Sequence, residues 1–245
     1  MSNFSRRKLI TTGLAATAGA SGLAVSAHLA DRCGLLPPDH RGIWGLGTTL
    51  TYASHRLLTR DSLAHEFPAS EISKAPFAKV RPFKIEAYDR MRAGNFVDWR
   101  VEVDGMVARP SSFSLAQLKT FPSRTQITQL TCEEGWCFIA EWKGAQLSHI
   151  LNLVGALPQA RYIVYQSIQP NWRQSIDMDD ARHPQTQLTY EMNGADLPMG
   201  HGGPVRLSVP RQLGYKNVKY ITRLTLTDSF NYTYRRNSYS WYAGI

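Results

Sequence analysis

The chain has 245 residues, 43% of them hydrophobic, with three cysteines and a formal charge of +9. This length suits one large domain with a real core but not comfortably two, and three cysteines are too few to staple it, which excludes a disulfide scaffold. The basic excess is spread along the chain without a Lys/Arg block, so it fits an anionic substrate, a membrane face or an acidic redox protein better than nucleic acid.

The N-terminus reads Ser5-Arg6-Arg7-Lys8-Leu9-Ile10, then a mildly apolar stretch over 9–24 rich in Ala, Gly and Thr, then Val25-Ser26-Ala27, with no acid before Asp31. A basic start, an apolar middle and small residues at a cleavage site mark an export signal, and the arginine pair marks the twin-arginine route, used by proteins that fold before they cross the membrane. We therefore expect a signal peptide over 1–27, recognition by the twin-arginine translocase, and a periplasmic location. Residues 9–30 are nearly long enough to span a bilayer, so retention as an uncleaved membrane anchor is the alternative. Their Gly, Ala, Thr and Ser content makes them a poor span. Cleavage leaves about 218 residues and a charge of +6, since Arg6, Arg7 and Lys8 are lost. Asp31-Arg32 argue against lipidation at Cys33.

Residues 28–90 read as a lead-in with weak periodicity, a helix over 50–58 and proline-marked loops at Pro37-Pro38 and Pro68. A domain is expected over 91–245. Residues 99–105 alternate as a strand and end in a turn. Ser114 caps a short helix through Leu118, and 126–130 is a strand leading into Cys132. An amphipathic helix follows over 147–154, a buried strand over 162–165, and a short helix over 178–182 that Pro184 stops. Strands over 188–192, closed by Asn193-Gly194, then 205–209 and 220–226 complete the chain. Many short strands with a few short helices predict a mixed α+β domain, not a doubly wound nucleotide fold.

Chemistry concentrates at Leu130-Thr131-Cys132-Glu133-Glu134-Gly135-Trp136-Cys137. Cys132 and Cys137 could pair with each other. No Cys-x-x-Cys-His indicates attached haem and no His-Glu-x-x-His indicates zinc. A thiolate beside scattered histidines fits no common zinc site.

Thr131–Trp136, Trp142-Lys143-Gly144, Tyr190 to Pro198, His201 to Arg206, Val209-Pro210 and Gly214 to Lys219, in this order and spacing, resemble the molybdopterin domain of the sulfite oxidase superfamily over about residues 95–227. Within it the chain is most similar to small exported one-domain bacterial oxidoreductases related to the catalytic subunit of periplasmic methionine-sulfoxide reductase, and its closing Ser240 to Ile245 resembles theirs. The resemblance implies one molybdenum-molybdopterin per chain. Two metal ligands come from the pterin dithiolene and one from a protein cysteine, which by position is Cys132; a soft thiolate suits this metal. The protein's task is then to hold and tune a cofactor that does the hard chemistry. The resemblance also places Asn95, Phe96, Val97 and Asp98 in a first cofactor loop, and Ser167, His201, Arg206, Asn217, Val218 and Lys219 at pterin contacts. Arg206 can offer a bidentate fork and Lys219 a point charge to a phosphate, joined by main-chain amides at Asn217 and Val218.

Three departures bear on the substrate. Sulfite oxidases hold their dianion with arginines at positions that correspond here to Gly94 and Cys137, neither of which binds an anion by charge. A family tyrosine near the metal oxo group corresponds to Trp172, an indole donor. The loop over 166–174 is short, and its Arg173 either restores positive charge or points to solvent. Cys137, Trp172 and Arg173 are thus expected to shape the pocket with Cys132, and the expected reaction is two-electron oxygen-atom transfer to or from a small sulfur or nitrogen oxo compound. Sulfite oxidation is the alternative. A Cys132/Cys137 thiol switch and a cofactor-free binding module are two further ones. With no haem motif, electrons are expected to pass through a separate protein, a membrane cytochrome b or a soluble cytochrome c, and the chain is expected to be a monomer.

Overall fold

The structure, a computed structural model, describes residues 25–31, 35–38, 45–78, 84–229, 241, 242 and 244. Most of the expected signal peptide, with its arginine pair, and Cys33 lie outside the described residues. Two compact units are distinguished, Met1–Arg60 and Asp61–Ile245. In the first, α1 (Leu46–Leu58) extends the expected helix by a turn toward the N-terminus and is closed by the Thr59 N–H donating to His55 O. No described helix is long and apolar enough to cross a membrane.

The second unit is built on two five-stranded sheets. One has the order β2-β1-β10-β5-β6, formed by β1 (Arg100–Gly105), β2 (Ser111–Ser114), β5 (Tyr162–Ser167), β6 (Arg173–Asp177) and β10 (Ile221–Thr227). The other has the order β3-β4-β7-β8, from β3 (Ser123–Thr131), β4 (Cys137–Gln146), β7 (Gln187–Met192) and β8 (Ala195–Asp196), with β9 (Arg206–Ser208) also on β7. The β1–β10 pair is parallel and the other strand pairs are antiparallel. Among the described residues, short α-helices accompany them: α2 (Glu86–Ala93), α3 (Leu115–Thr120), α4 (Leu147–Val154) and α5 (Met178–Arg182).

Local chemistry explains these elements. In β1, alternation buries Val101 and Val103 between exposed Arg100 and Glu102. At α3, Ser114 and Gln117 form a reciprocal capping box, each side chain accepting from the other's main-chain N–H. Leu147, Ile150, Leu151 and Val154 place one buried stripe on α4, and Gly155 ends it at φ 65. The larger core packs Trp99, Val101, Leu118, Leu147, Ile163, Leu207 and Leu224 among others; a smaller cluster of Phe138, Ala140, Trp142, Met192 and Leu197 lies beside β4.

β4 was not expected from the sequence, although Phe138, Ala140 and Trp142 alternate inward along it. Gly144 obscures the pattern and is required by packing. A Cβ there would lie 2.4 Å from Leu188 O, at the point where the β4–β7 register shifts. The lead-in also joins this sheet: Phe67 N–H donates to Ile127 O at 2.9 Å, and Ser73 N–H to Ile139 O at 2.9 Å.

Candidate functional site

Cys132 follows β3 in the tight connection to β4. Its N–H donates to Trp136 O (2.9 Å), the Gly135 N–H returns to Cys132 O (3.1 Å), and Gly135 takes φ 90. The loop turns the buried Cys132 side chain into a cavity of about 150 Å³. Glu133 and Trp136 from the same loop, Phe138 from β4 and Phe77 from the lead-in form that side of it. Phe77 and Trp136 meet with ring centres 4.8 Å apart.

Basic side chains line the same cavity: His201, Arg206 and Lys219, together with Asn217, Val218 and Tyr220, and the His201 ring centre lies 5.4 Å from that of Phe138. Arg206 is buried, its guanidinium 5.1 Å from the centre of the Trp142 ring, and it donates to His201 O (2.9 Å) and Asn217 O (2.8 Å). Its Nε is buried with no hydrogen-bond partner, and no carboxylate pairs with it among the described residues. The Lys219 ammonium donates to Gly200 O at 2.5 Å. Glycine at 202 makes this approach feasible, since it stands at φ 107 and a Cβ would meet Lys219 Cβ at 2.9 Å.

Burial sets the protonation of the group. It pulls Arg206 down to about 10. Burial first, and then the Arg206 charge, pull Lys219 down to about 7 and His201 to about 4, Lys219 adding to the effect on His201. The Cys132 thiol is pushed up to about 11, chiefly by burial, with the Glu133 carboxylate, 3.3 Å from the sulfur, adding to it. A buried guanidinium, a lysine whose proton is loosely held and a neutral imidazole therefore share one cavity with a buried thiol, where an anion would relieve the desolvated charge. A buried guanidinium with an orphaned Nε is costly unless an anion completes it, and a thiol loses its proton readily to a soft metal. These residues fit a phosphate-bearing group that carries a thiophilic metal.

The other expected site residues stand elsewhere. Cys137 is exposed at the start of β4, on the face opposite Phe138, because side chains alternate along a strand. It is outside the cavity lining, as are Arg173, Ser167 and 95–98. Arg173 opens β6, opposite Gln166. Ser167 is buried and its hydroxyl accepts from Gln169 N–H (3.1 Å), while its own N–H donates to Trp172 O (2.9 Å). It thus shapes the turn that carries Gln169 and Trp172 into the lining. Asn95 and Phe96 take φ 52 and 56, a left-handed pair that costs about 1–3 kcal/mol for each residue outside its usual region. Phe96 packs on Tyr88, and Tyr88 on the lining residue Tyr220; Val97 is exposed.

Asn217 differs from expectation in its main-chain amide, which is spent on Gly214 O (3.0 Å) because the residue closes the short turn Gly214–Lys216. Its side chain instead ties the loop together, accepting from Val209 N–H (2.7 Å) and donating to Gln212 O (3.1 Å). Sequence reasoning did not single out Phe77, Glu133, Phe138, Gln169, Tyr215 or Tyr220. Glu133 lies within the cysteine block, and Phe138 could have been found from its alternation with Ala140 and Trp142. Phe77 carries no sequence signal.

Residues 90–234 match the family model described as an oxidoreductase molybdopterin binding domain. A protein of Azospira oryzae, described provisionally as the protein-methionine-sulfoxide reductase subunit YedZ1, is 37% identical over 192 residues, which cover 77% of this chain and 70% of that protein. The protein-methionine-sulfoxide reductase catalytic subunit MsrP of Ralstonia nicotianae is 31% identical over 167 residues, 60% of this chain and 50% of its own length. The solved sulfane dehydrogenase SoxCD of Paracoccus pantotrophus superposes with a TM-score of 0.52 at 25% identity, covering 54% of this chain and 39% of that one.

Proposed function

Because the chain belongs to the oxidoreductase molybdopterin-binding-domain family, within the sulfite oxidase superfamily, we propose that it moves an oxygen atom from a neutral sulfur oxide, of the methionine-sulfoxide class, with two electrons. The observation that carries this reading is a buried thiol, Cys132, sharing one cavity with a buried guanidinium whose Nε has no partner. Cys132 would hold the metal, and Arg206, His201 and Lys219 the phosphate-bearing end of one pterin per chain. When bound, the group supplies a molybdenum that exchanges an oxygen atom and two electrons. Phe77, Trp136 and Phe138 offer an apolar seat for a thioether chain, and the Glu133 carboxylate beside the sulfur disfavours a dianion such as sulfite.

The oxide substrate is suggested by the names of the two curated relatives. Both names also describe subunits, which fits the delivery of electrons by a separate protein such as a membrane cytochrome b or a soluble cytochrome c. Export through the twin-arginine route to the periplasm belongs to the same reading, with 1–27 as signal, 28–90 as lead-in and 91–245 as the cofactor domain of a monomer.

Two assays test it. The purified protein should carry about one molybdenum and one pterin, and a reduced dye should be oxidised by methionine sulfoxide, dimethyl sulfoxide or trimethylamine N-oxide. Sulfite turnover coupled to cytochrome c reduction, with no oxide turnover, would replace it with sulfite oxidation. Folded protein without molybdenum would return the thiol-switch and binding-module readings.

A further inference from the structure

Helix α1 wears its polarity inside out. Among the described residues eleven large hydrophobic side chains are exposed, and six of them, Val25, Leu29, Leu46, Leu50, Leu57 and Leu58, belong to the unit Met1–Arg60. At about 100° per residue, Leu46, Leu50, Leu57 and Leu58 fall within an arc of about 120° on α1 that they share with Gly47 and Ser54. The four leucines are 57, 60, 66 and 79% exposed, and the arc contains no charged residue. Tyr52 and Arg56, which bears the helix's one Lys or Arg charge, are the buried residues of α1, with the guanidinium 5.1 Å from the tyrosine ring centre. A helix of a water-bathed domain turns its leucines inward and its charges out; this one does the reverse.

The same segment is mildly basic even without residues 1–24: residues 25–60 contain four Arg against two Asp and no Glu, and Arg60 is exposed just beyond the end of α1. We propose that the leucine face of α1 seats in the boundary between headgroups and acyl chains of an anionic bilayer, holding the protein on a membrane surface independently of residues 1–24. Thirteen residues make a helix about 20 Å long, too short to span and suited to lying in the plane of the interface. An anionic lipid surface answers both the apolar arc and the exposed Arg60 at its C-terminal end, with the excess of Arg over Asp in 25–60. A second copy on the same face would bury the leucines but bring together the two Arg60 side chains and two segments with an excess of Arg.

The test is partition of the full, cofactor-loaded chain onto vesicles of phosphatidylethanolamine and phosphatidylglycerol. Wild type and Leu50→Met/Leu57→Met should co-sediment with the vesicles, and Leu50→Glu/Leu57→Glu should bind about tenfold more weakly or worse. Binding of wild type should also fall when phosphatidylcholine replaces phosphatidylglycerol. Leu58→Glu, at the most exposed position, repeats the test with least demand on the fold, and far-ultraviolet circular dichroism with dye-linked turnover reports folding and activity separately from binding. Equal sedimentation of the wild type and glutamate variants would overturn the proposal, because residues 1–24 would then carry the membrane contact. So would wild type that ignores vesicles but changes from dimer to monomer on substitution, which would make a second copy the occupant.

Discussion

Replacing Lys219 by Met in cofactor-free protein gives the sharpest test of the cation wall. Burial and the Arg206 charge lower Lys219 to about 7 in the folded chain, while an unfolded lysine titrates near 10.4. Below pH 7 the group is charged in both states and the fold bears the full desolvation cost. Between about 7 and 10.4 the unfolded chain binds the proton that the folded chain has released, so stability rises with pH across that window. At about 1.4 kcal/mol per pH unit the swing is roughly 3–5 kcal/mol. The urea midpoint of the cofactor-free protein should therefore climb from pH 7 to pH 10. Lys219→Met should be more stable than wild type at pH 7 and should lose most of the slope. Cofactor-loaded protein should also lose it, because a bound anion restores the ammonium. A flat profile in cofactor-free wild type, or an unchanged slope in Lys219→Met, would refute the assignment of a desolvated lysine at this position.

Other predictions follow from the same geometry. His201 is lowered to about 4, so cofactor-free protein should lose stability as pH falls from about 6.5 to 4, and His201→Gln should flatten that limb in the same urea series. Arg206→Met removes the buried guanidinium whose Nε would complete the phosphate, and at about 1.5–3 kcal/mol for a charge-assisted bond the pterin content of purified protein should fall about tenfold or more. Cys132→Ser should abolish turnover and thiolate-to-metal absorption while circular dichroism stays native; retained turnover would remove Cys132 as the ligand. Gly203→Ala would set a Cβ 2.0 Å from Leu197 O and should cost about 3 kcal/mol or more in chemical denaturation, the upper end for overpacking. Ser114→Ala, which loses the capping box of α3, should cost only about 1 kcal/mol.

What could be read locally was read well. Ser114 and Gln117 announce a capped helix three residues apart, 147–154 shows its apolar stripe, and Asn193-Gly194 marks the turn at which both residues take positive φ. What escaped was governed by contacts between distant segments. Gly144 looks like a strand breaker in isolation, yet it lets β4 approach β7 so closely that only a hydrogen fits. Phe77 belongs to the cavity because Phe67 and Ser73 dock their main chain on β3 and β4, a contact across more than fifty residues that leaves no periodic trace.

The sequence by itself determined the fold class, the family motif and the residue types able to hold a soft metal and a phosphate, since these rest on local pattern and side-chain chemistry. Tertiary structure alone decided that Cys132, Trp172, His201, Arg206 and Lys219 line one cavity, and that Cys137, five residues from Cys132, is exposed. Strand alternation separates near neighbours, and the pairing of non-adjacent strands joins segments almost ninety residues apart. The charge state of the site was likewise invisible in the sequence, because a lysine becomes half-titrated at neutral pH only where burial and a neighbouring guanidinium make its proton expensive to keep.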